Sequence, residues 1–181
     1  LQIQTRPGEP FRLLCIGAHS DDLEIGCGGT ILTWLTSMPA VEITWVVLSA
    51  RAERGVEARN SVDALLQHAT RSRIVLGEFH DGFMPAQYRE IKEFFEGLKQ
   101  GDEPDIIMTH WLQDRHQDYR LAAELTWNTW RNHLILEYEI AKYEGDLAQP
   151  NAYMPVSEHL VRSKVMHLER HFASQRSKDW F

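Results

Sequence analysis

Short apolar runs alternate with amphipathic stretches along the chain. Leu13 to Ala18 is uninterrupted and too short for a helix, so it predicts a strand over about 12–18 that is buried on both faces. Behind it Ile31, Leu32, Trp34 and Leu35 recur at helical spacing, and this helix stops near Pro39. Val41 to Leu48 is rich in β-branched residues and reads as a second strand. A helix over 53–68 follows, with Val56, Leu65 and Leu66 on its apolar side, and then a short strand, Ile74 to Leu76, which ends at Gly77. Residues 87–99 predict a helix with Ile91, Phe94, Phe95 and Leu98 inward. A fourth strand, Asp105 to Thr109, runs into His110, and a helix over 118–131 carries Leu121, Ala122, Leu125 and Trp130. In a fifth strand, Leu134 to Ile140, Glu137 and Glu139 alternate with apolar residues, which implies an edge or half-covered position. A loop around 145–155 leads to a last helix over 157–172.

Strands alternating with helices call for an α/β fold of three layers, a mostly parallel sheet with helices on both faces and right-handed crossovers. In such a sheet the first and fourth strands can lie side by side where the strand order reverses, so that the loops after them share one crevice. Both of these strands end in polar clusters. His19, Asp21, Asp22 and Glu24 follow the first, and His110, Asp114, His116 and Asp118 follow the fourth. One imidazole beside two carboxylates can ligate a borderline cation such as zinc and leave a carboxylate over to handle protons. Asp21 or Asp22 can equally cap the helix that follows. Asp118 can cap its own helix, whereas capping offers no reason for His116.

Composition narrows the partner. The 181 residues, 43% hydrophobic and 25% charged, suit one soluble globular domain with a substantial core. Nineteen basic against 26 acidic residues give a formal charge of −7 without a basic face, which points to a small molecule and away from nucleic acid or an anionic membrane. Cys15 sits in an apolar strand and Cys27 between glycines, with no apolar stretch of spanning length and no leader, so reduced thiols in a cytoplasmic setting are expected. The start on Leu1 and the terminal Trp180-Phe181, a pair suited to docking on further structure, suggest a trimmed chain.

Ala18-His19-Ser20-Asp21-Asp22-Leu23-Glu24, the Gly28-Gly29-Thr30 that follows, and the later His116-Gln117-Asp118 resemble the two signature motifs of the PIG-L (LmbE-like) family of zinc-dependent N-acetylglucosaminyl deacetylases. Those motifs ordinarily read Ala-His-Pro-Asp-Asp-x-Glu and His-x-Asp-His. The match runs over about 12–131 and includes Glu53-Arg54-x-x-Glu57, while Glu137 to Ile140, Lys142-Tyr143, Gly145-Asp146 and Ser174-Gln175 are similar to the bacterial branch. The resemblance implies a Rossmann-like three-layer fold and a single deacetylase domain over 1–181, cut short at its C-terminus because family members often continue. It implies a zinc ion with His19 and Asp22 as ligands, Asp21 as general base, and His116 steadying the oxyanion or serving as acid, oriented by Asp118. Arg54 would contact the substrate's polar groups. The implied substrate is an N-acetyl amino sugar or sugar conjugate, split into free amine and acetate.

Two positions depart from the family pattern. Ser20 replaces the usual proline, and Tyr119 stands where the third zinc ligand, a histidine, is expected. A phenol with pKa near 10 is a poor ligand beside an imidazole. Tyr119 then either ligates as phenolate, or yields to His110, Asp114 or His116, or leaves a site without metal. The last case describes a catalytically weak or inactive relative that binds a sugar or another small molecule. Gly26-Cys-Gly28-Gly29 lacks the spacing of a dinucleotide loop. A different metal-dependent amidohydrolase would use the same residues on a smaller amide. His68, His159, His167 and His171 read as structural histidines on helices, Trp127 and Trp130 as core, and His80-Asp81-Gly82 as a turn that can touch the pocket rim.

Overall fold

Phe11–His19 (β1), Val41–Ser49 (β2), Arg71–Leu76 (β3), Ile106–His110 (β4) and Leu134–Tyr138 (β5) pair in parallel in the order β3-β2-β1-β4-β5. The computed structural model describes residues 3, 8–101 and 103–177, so Trp180-Phe181 and most of the lead-in lie outside the described residues. β1 is central because it is apolar on both faces, and its Leu14 faces Thr44 on one side and Ile107 on the other. The strand order reverses there. Loops after β1 and β4 therefore diverge to opposite faces and leave a crevice between them, as the alternation of elements predicted.

Six helices cover the sheet: Asp22–Gly26 (α1), Gly28–Ser37 (α2), Ala52–Leu65 (α3), Tyr88–Leu98 (α4), Gln117–Thr129 (α5) and Glu158–His171 (α6). Trp45, Ile16, Leu48, Ile91 and Phe95 are among the side chains lost entirely to solvent, each contributing about 1.5–3 kcal/mol by its transfer from water. Both cysteines are buried and free. No helix among the described residues is long and apolar enough to cross a membrane.

Four details differ from the pattern reading. The helix after β1 is broken at Cys27, and Gly26 just before the break lies so close to the Tyr138 ring that a Cβ there would stand 2.2 Å from it. The buried stripe of α3 is Ala58, Ser61, Val62 and Leu65, which leaves Val56 61% exposed. Trp130 is core but Trp127 is 44% exposed, its Nε1 donating to Glu137 on the half-covered edge strand β5. Finally, the N-cap of α5 is His116, whose Nδ1 accepts from Asp118 N, so capping does explain part of His116 and does not explain the Asp118 carboxylate.

Candidate active site

His19 ends β1, and the turn into α1 is closed by its own sequence: Asp22 Oδ2 accepts from His19 N at 2.7 Å. The same carboxylate is held from the other side. Tyr119 on α5 donates its hydroxyl to Asp22 Oδ1 at 2.9 Å, and His110 Nε2, at the end of β4, lies 3.1 Å from Oδ2. His110 also lies within 3.0 Å of Ala18 N and 3.2 Å of the Tyr138 hydroxyl, and its ring stacks on Tyr119 at 4.1 Å. Asp22 thus has partners on both oxygens.

Asp21 occupies the N-cap position of α1 without capping it. Its Oδ1 accepts from Arg54 Nη2 at 2.7 Å instead. Arg54 is carried in by a sharp turn into α3, where Ala52 adopts φ 49° and Gly55 sits under the Ala50 carbonyl, 2.4 Å from where a Cβ would be. Strain of this kind concentrates where a backbone is bent to serve a site.

His19 turns its Nδ1 toward Asp22 Oδ2 at 3.5 Å and its Nε2 toward two further carboxylates, Asp118 Oδ2 at 3.2 Å and Asp81 Oδ1 at 3.0 Å. Asp118 is fully buried and also accepts from Gly82 N and Met84 N, which ties the loop after β3 to α5. The His116 ring sits edge-on to His19 at 5.2 Å. Its approach is fixed by Asp114 Oδ1, which accepts from His116 N, while Lys142 bridges Asp114 to Asp146.

Burial works against a charged His19, but Asp22, Asp118 and Asp81 hold its imidazolium well above the usual range. Asp22 is likewise opposed by burial, and the charges and hydrogen bonds of His19 and His110 keep it below the usual carboxylate range. Asp21 moves upward through burial and the charge of Asp22, with Arg54 opposing. His116 is lowered by burial and then by the charge of His19. Tyr119 is pushed far up by burial and by Asp22, so its phenol is neutral.

A cavity of about 280 Å³ opens over this floor, lined by His19, Ser49, Arg51, Arg54, His80 and Asp81. The residues to which the resemblance gives roles, His19, Asp21, Asp22, Arg54, His116, Asp118 and Tyr119, lie in this one cluster. Asp118 meets His116 through its backbone N–H and turns its carboxylate to His19. Arg51, Tyr138 and Ser49 were not found by sequence reasoning. All three stand at the carboxyl ends of strands or just beyond, which is the signal that could have found them.

Of the implied trio His19, Asp22 and Tyr119, the last is a neutral phenol whose proton is given to the second, so the trio satisfies itself. His19, His116 and Asp118 offer instead two imidazoles and a carboxylate with ligand atoms within 4.8 Å of one another, the composition of a catalytic zinc site. The residues present fit a cation.

A family model described as PIG-L, GlcNAc-PI de-N-acetylase, matches residues 14–130. Among solved structures, the zinc-inhibited form of teicoplanin deacetylase Orf2 matches with a TM-score of 0.72 at 15% identity, over 91% of this chain and 84% of that one. N,N′-diacetylchitobiose deacetylase from Pyrococcus horikoshii, complexed with its inhibitor MPG, matches at 0.68 and 21%, over 93% and 72%. GalB, the 4-carboxy-2-hydroxymuconate hydratase from Pseudomonas putida KT2440, matches at 0.60 and 16%, over 93% and 89%. These likenesses establish the fold, and the hydratase among them shows that the fold hosts more than one reaction. No curated protein sequence matches the chain.

Proposed function

The chain belongs to the PIG-L family, and from that premise we propose that it is a zinc-dependent N-deacetylase that hydrolyses the N-acetyl group of an amino sugar or sugar conjugate. The observation that carries this reading is the buried Asp21 carboxylate, clamped at 2.7 Å by Arg54, which with His19 lines an open cavity. The solved deacetylases named above, one for teicoplanin and one for N,N′-diacetylchitobiose, support the choice of an acylated sugar.

Hydrolysis adds water to the acyl carbon, breaks the C–N bond and returns a proton to the departing amine. Asp21 takes the proton from the water and delivers it to nitrogen, and its raised pKa brings it nearer to the working pH than a free carboxylate would be. Arg54 fixes the carboxylate, and the side of its guanidinium that lines the cavity is available to the sugar hydroxyls. The contact of Asp118 N–H to Nδ1 of His116 leaves the proton on Nε2, so this imidazole can donate to the developing oxyanion. Zinc, held at His19 and Asp118, would polarise the acyl oxygen and lower the pKa of its water.

Acetate release from a panel of N-acetyl amino sugars, their conjugates and small amides tests the reading. Turnover of the sugars is expected, with Asp21→Asn lowering kcat by about 10²–10⁴. Turnover confined to simple amides would replace the sugar deacetylase with another amidohydrolase, and turnover of none would remove the enzyme.

A further inference from the structure

We propose that the cation of this chain is held by His19 Nε2, Asp118 and His116, and that Asp22, with Tyr119 hydrogen-bonded to it, has become the carboxylate that orients His19 from behind. This rests on the deacetylase reading for its purpose but not for its chemistry. Around His19 and Arg54 gather four carboxylates, Asp21, Asp22, Asp81 and Asp118, and three of them are buried. Arg54 answers one of these charges, through Asp21, and an imidazolium at His19 answers one more, which leaves the cluster in excess. A low-dielectric pocket does not keep such an excess of negative charge without a cation.

The place of that cation follows from where carboxylates crowd onto a single ring nitrogen. Asp22 accepts from Tyr119 OH at 2.9 Å and from His19 N at 2.7 Å, and His110 Nε2 lies 3.1 Å away. Asp118 is held by the N–H groups of Gly82 and Met84, and its Oδ2 and Asp81 Oδ1 converge on His19 Nε2, at 3.2 and 3.0 Å, with one N–H to share between them. A nitrogen and two carboxylate oxygens meeting at about 3 Å are spaced like neighbouring ligands of a tetrahedral ion with bonds of about 2.0–2.2 Å. His116 completes the set through Nδ1, the nitrogen that the Asp118 N–H leaves unprotonated; that contact, at 3.3 Å, is the one a ligating imidazole gives up. As a ligand His116 turns its Nε2–H away from the cation, so the cation itself takes over the acyl oxygen.

In this arrangement His19 Nδ1 faces Asp22 Oδ2, the carboxylate–histidine–metal order that fixes the tautomer of a ligating imidazole. Tyr119 is then not a failed ligand. Its phenol holds Asp22 in place and keeps it from the metal. Asp81, on the exposed loop after β3, borders the cavity beside the cation.

X-ray absorption at the zinc edge of the zinc-loaded wild-type protein counts the imidazoles directly, and zinc affinity follows from competition with a chromophoric chelator. Two imidazoles are expected. Tyr119→Phe should bind zinc within about threefold of wild type, whereas Asp118→Asn and His116→Gln should each lose tenfold or more. One imidazole, or a tenfold loss in Tyr119→Phe equal to that in Asp118→Asn, overturns the proposal, as does a wild-type protein that takes up no zinc. Since Asp118 also anchors the loop at 82–84, the wild-type imidazole count decides where its variant fails to fold. A two-imidazole site without acetate release from any amide sinks the deacetylase reading alone, and acetate release from a one-imidazole site sinks this proposal alone.

Discussion

Glu24 is a carboxyl group wholly out of water, and its Oε2 has no partner. Ser61 Oγ lies 2.5 Å from its Oε1, and His167 Nε2 lies 2.8 Å from that hydroxyl, so the three residues link α1, α3 and α6. Burial pushes the carboxyl up to about 8, against an ordinary 4.5, with the charges of Asp21 and Asp22 adding to it and Ser61 opposing. The folded chain therefore holds this proton more tightly than the unfolded one. Its contribution is whole below about 4.5 and is lost as pH rises through about 8. His167, pushed down to about 4 by burial, works the other way: its contribution is whole above 6.5 and is lost as pH falls. Glu24→Gln removes the first slope and leaves the second. Urea midpoints at pH 5 and pH 8.5 should show the wild type losing at most about 1.4 kcal/mol per pH unit across the window, and the variant distinctly less. Parallel losses would mean that Glu24 is ionised in the fold. The motif showed that Glu24 mattered. Its reach to His167, 143 residues on, depended on how α6 docks, and helical spacing says nothing of that.

The entry to α3 shows how an element is bent to serve a side chain. Arg51 is its N-cap, Ala52 follows at φ 49°, and Gly55 fits beneath the Ala50 carbonyl with no room for a Cβ. Gly55→Ala must push the first turn of α3 outward, taking Arg54 away from Asp21. A stability loss of about 1–3 kcal/mol, the usual cost of overpacking, is expected in chemical denaturation. Fold-level damage alone would leave the remaining protein as active as wild type per folded molecule, whereas displacement of Arg54 lowers kcat as well. Unchanged stability would mean that the helix start has slack. Elements of this chain were legible where packing demanded one answer. The apolar β1 and β2 and the inward stripe of α4 fall where periodicity put them. In α3, charged and small residues so outnumber the apolar ones that spacing alone turns Val56 inward, while the stripe that packs is built from Ala58, Ser61 and Val62. Glu57, on the same stripe, is buried because it accepts from Ser174 N and Oγ near the C-terminus, a partner no local pattern reveals.

At the scale of the whole molecule, five strands deliver side chains to one edge. His19 comes from β1, Arg51 and Arg54 from the segment after β2, Asp81 from that after β3, His116 and Asp118 from that after β4, and Lys142 and Asp146 from that after β5. The motif residues were readable because each lies at a strand end, and parallel topology then brings β1 and β4 together. The role of Tyr119 was not readable, since it depends on where the phenol finds an acceptor, and Asp22 supplies one only in the folded cluster. Nor was Lys142, whose meaning comes from the order β4-β5: it passes under the loop at 114–116 and pairs with Asp114 and Asp146 at 2.8 Å each. Its side chain is only 4% exposed, and Asp114 in turn accepts from the N–H of His116. The fifth strand thus holds the fourth strand's loop in register with the first. Lys142→Met leaves two carboxylates facing each other under that loop. A loss of about 3 kcal/mol is expected, because both carboxylates lose their cation in a largely enclosed place. Lys142→Met with Asp114→Asn removes one of the stranded charges, so the double variant should be less destabilised than the single one. If His116 depends on this tie, both variants also weaken zinc binding. A single variant as stable as wild type would show that the loop is set by its own backbone, and Lys142 would then have no part in placing His116.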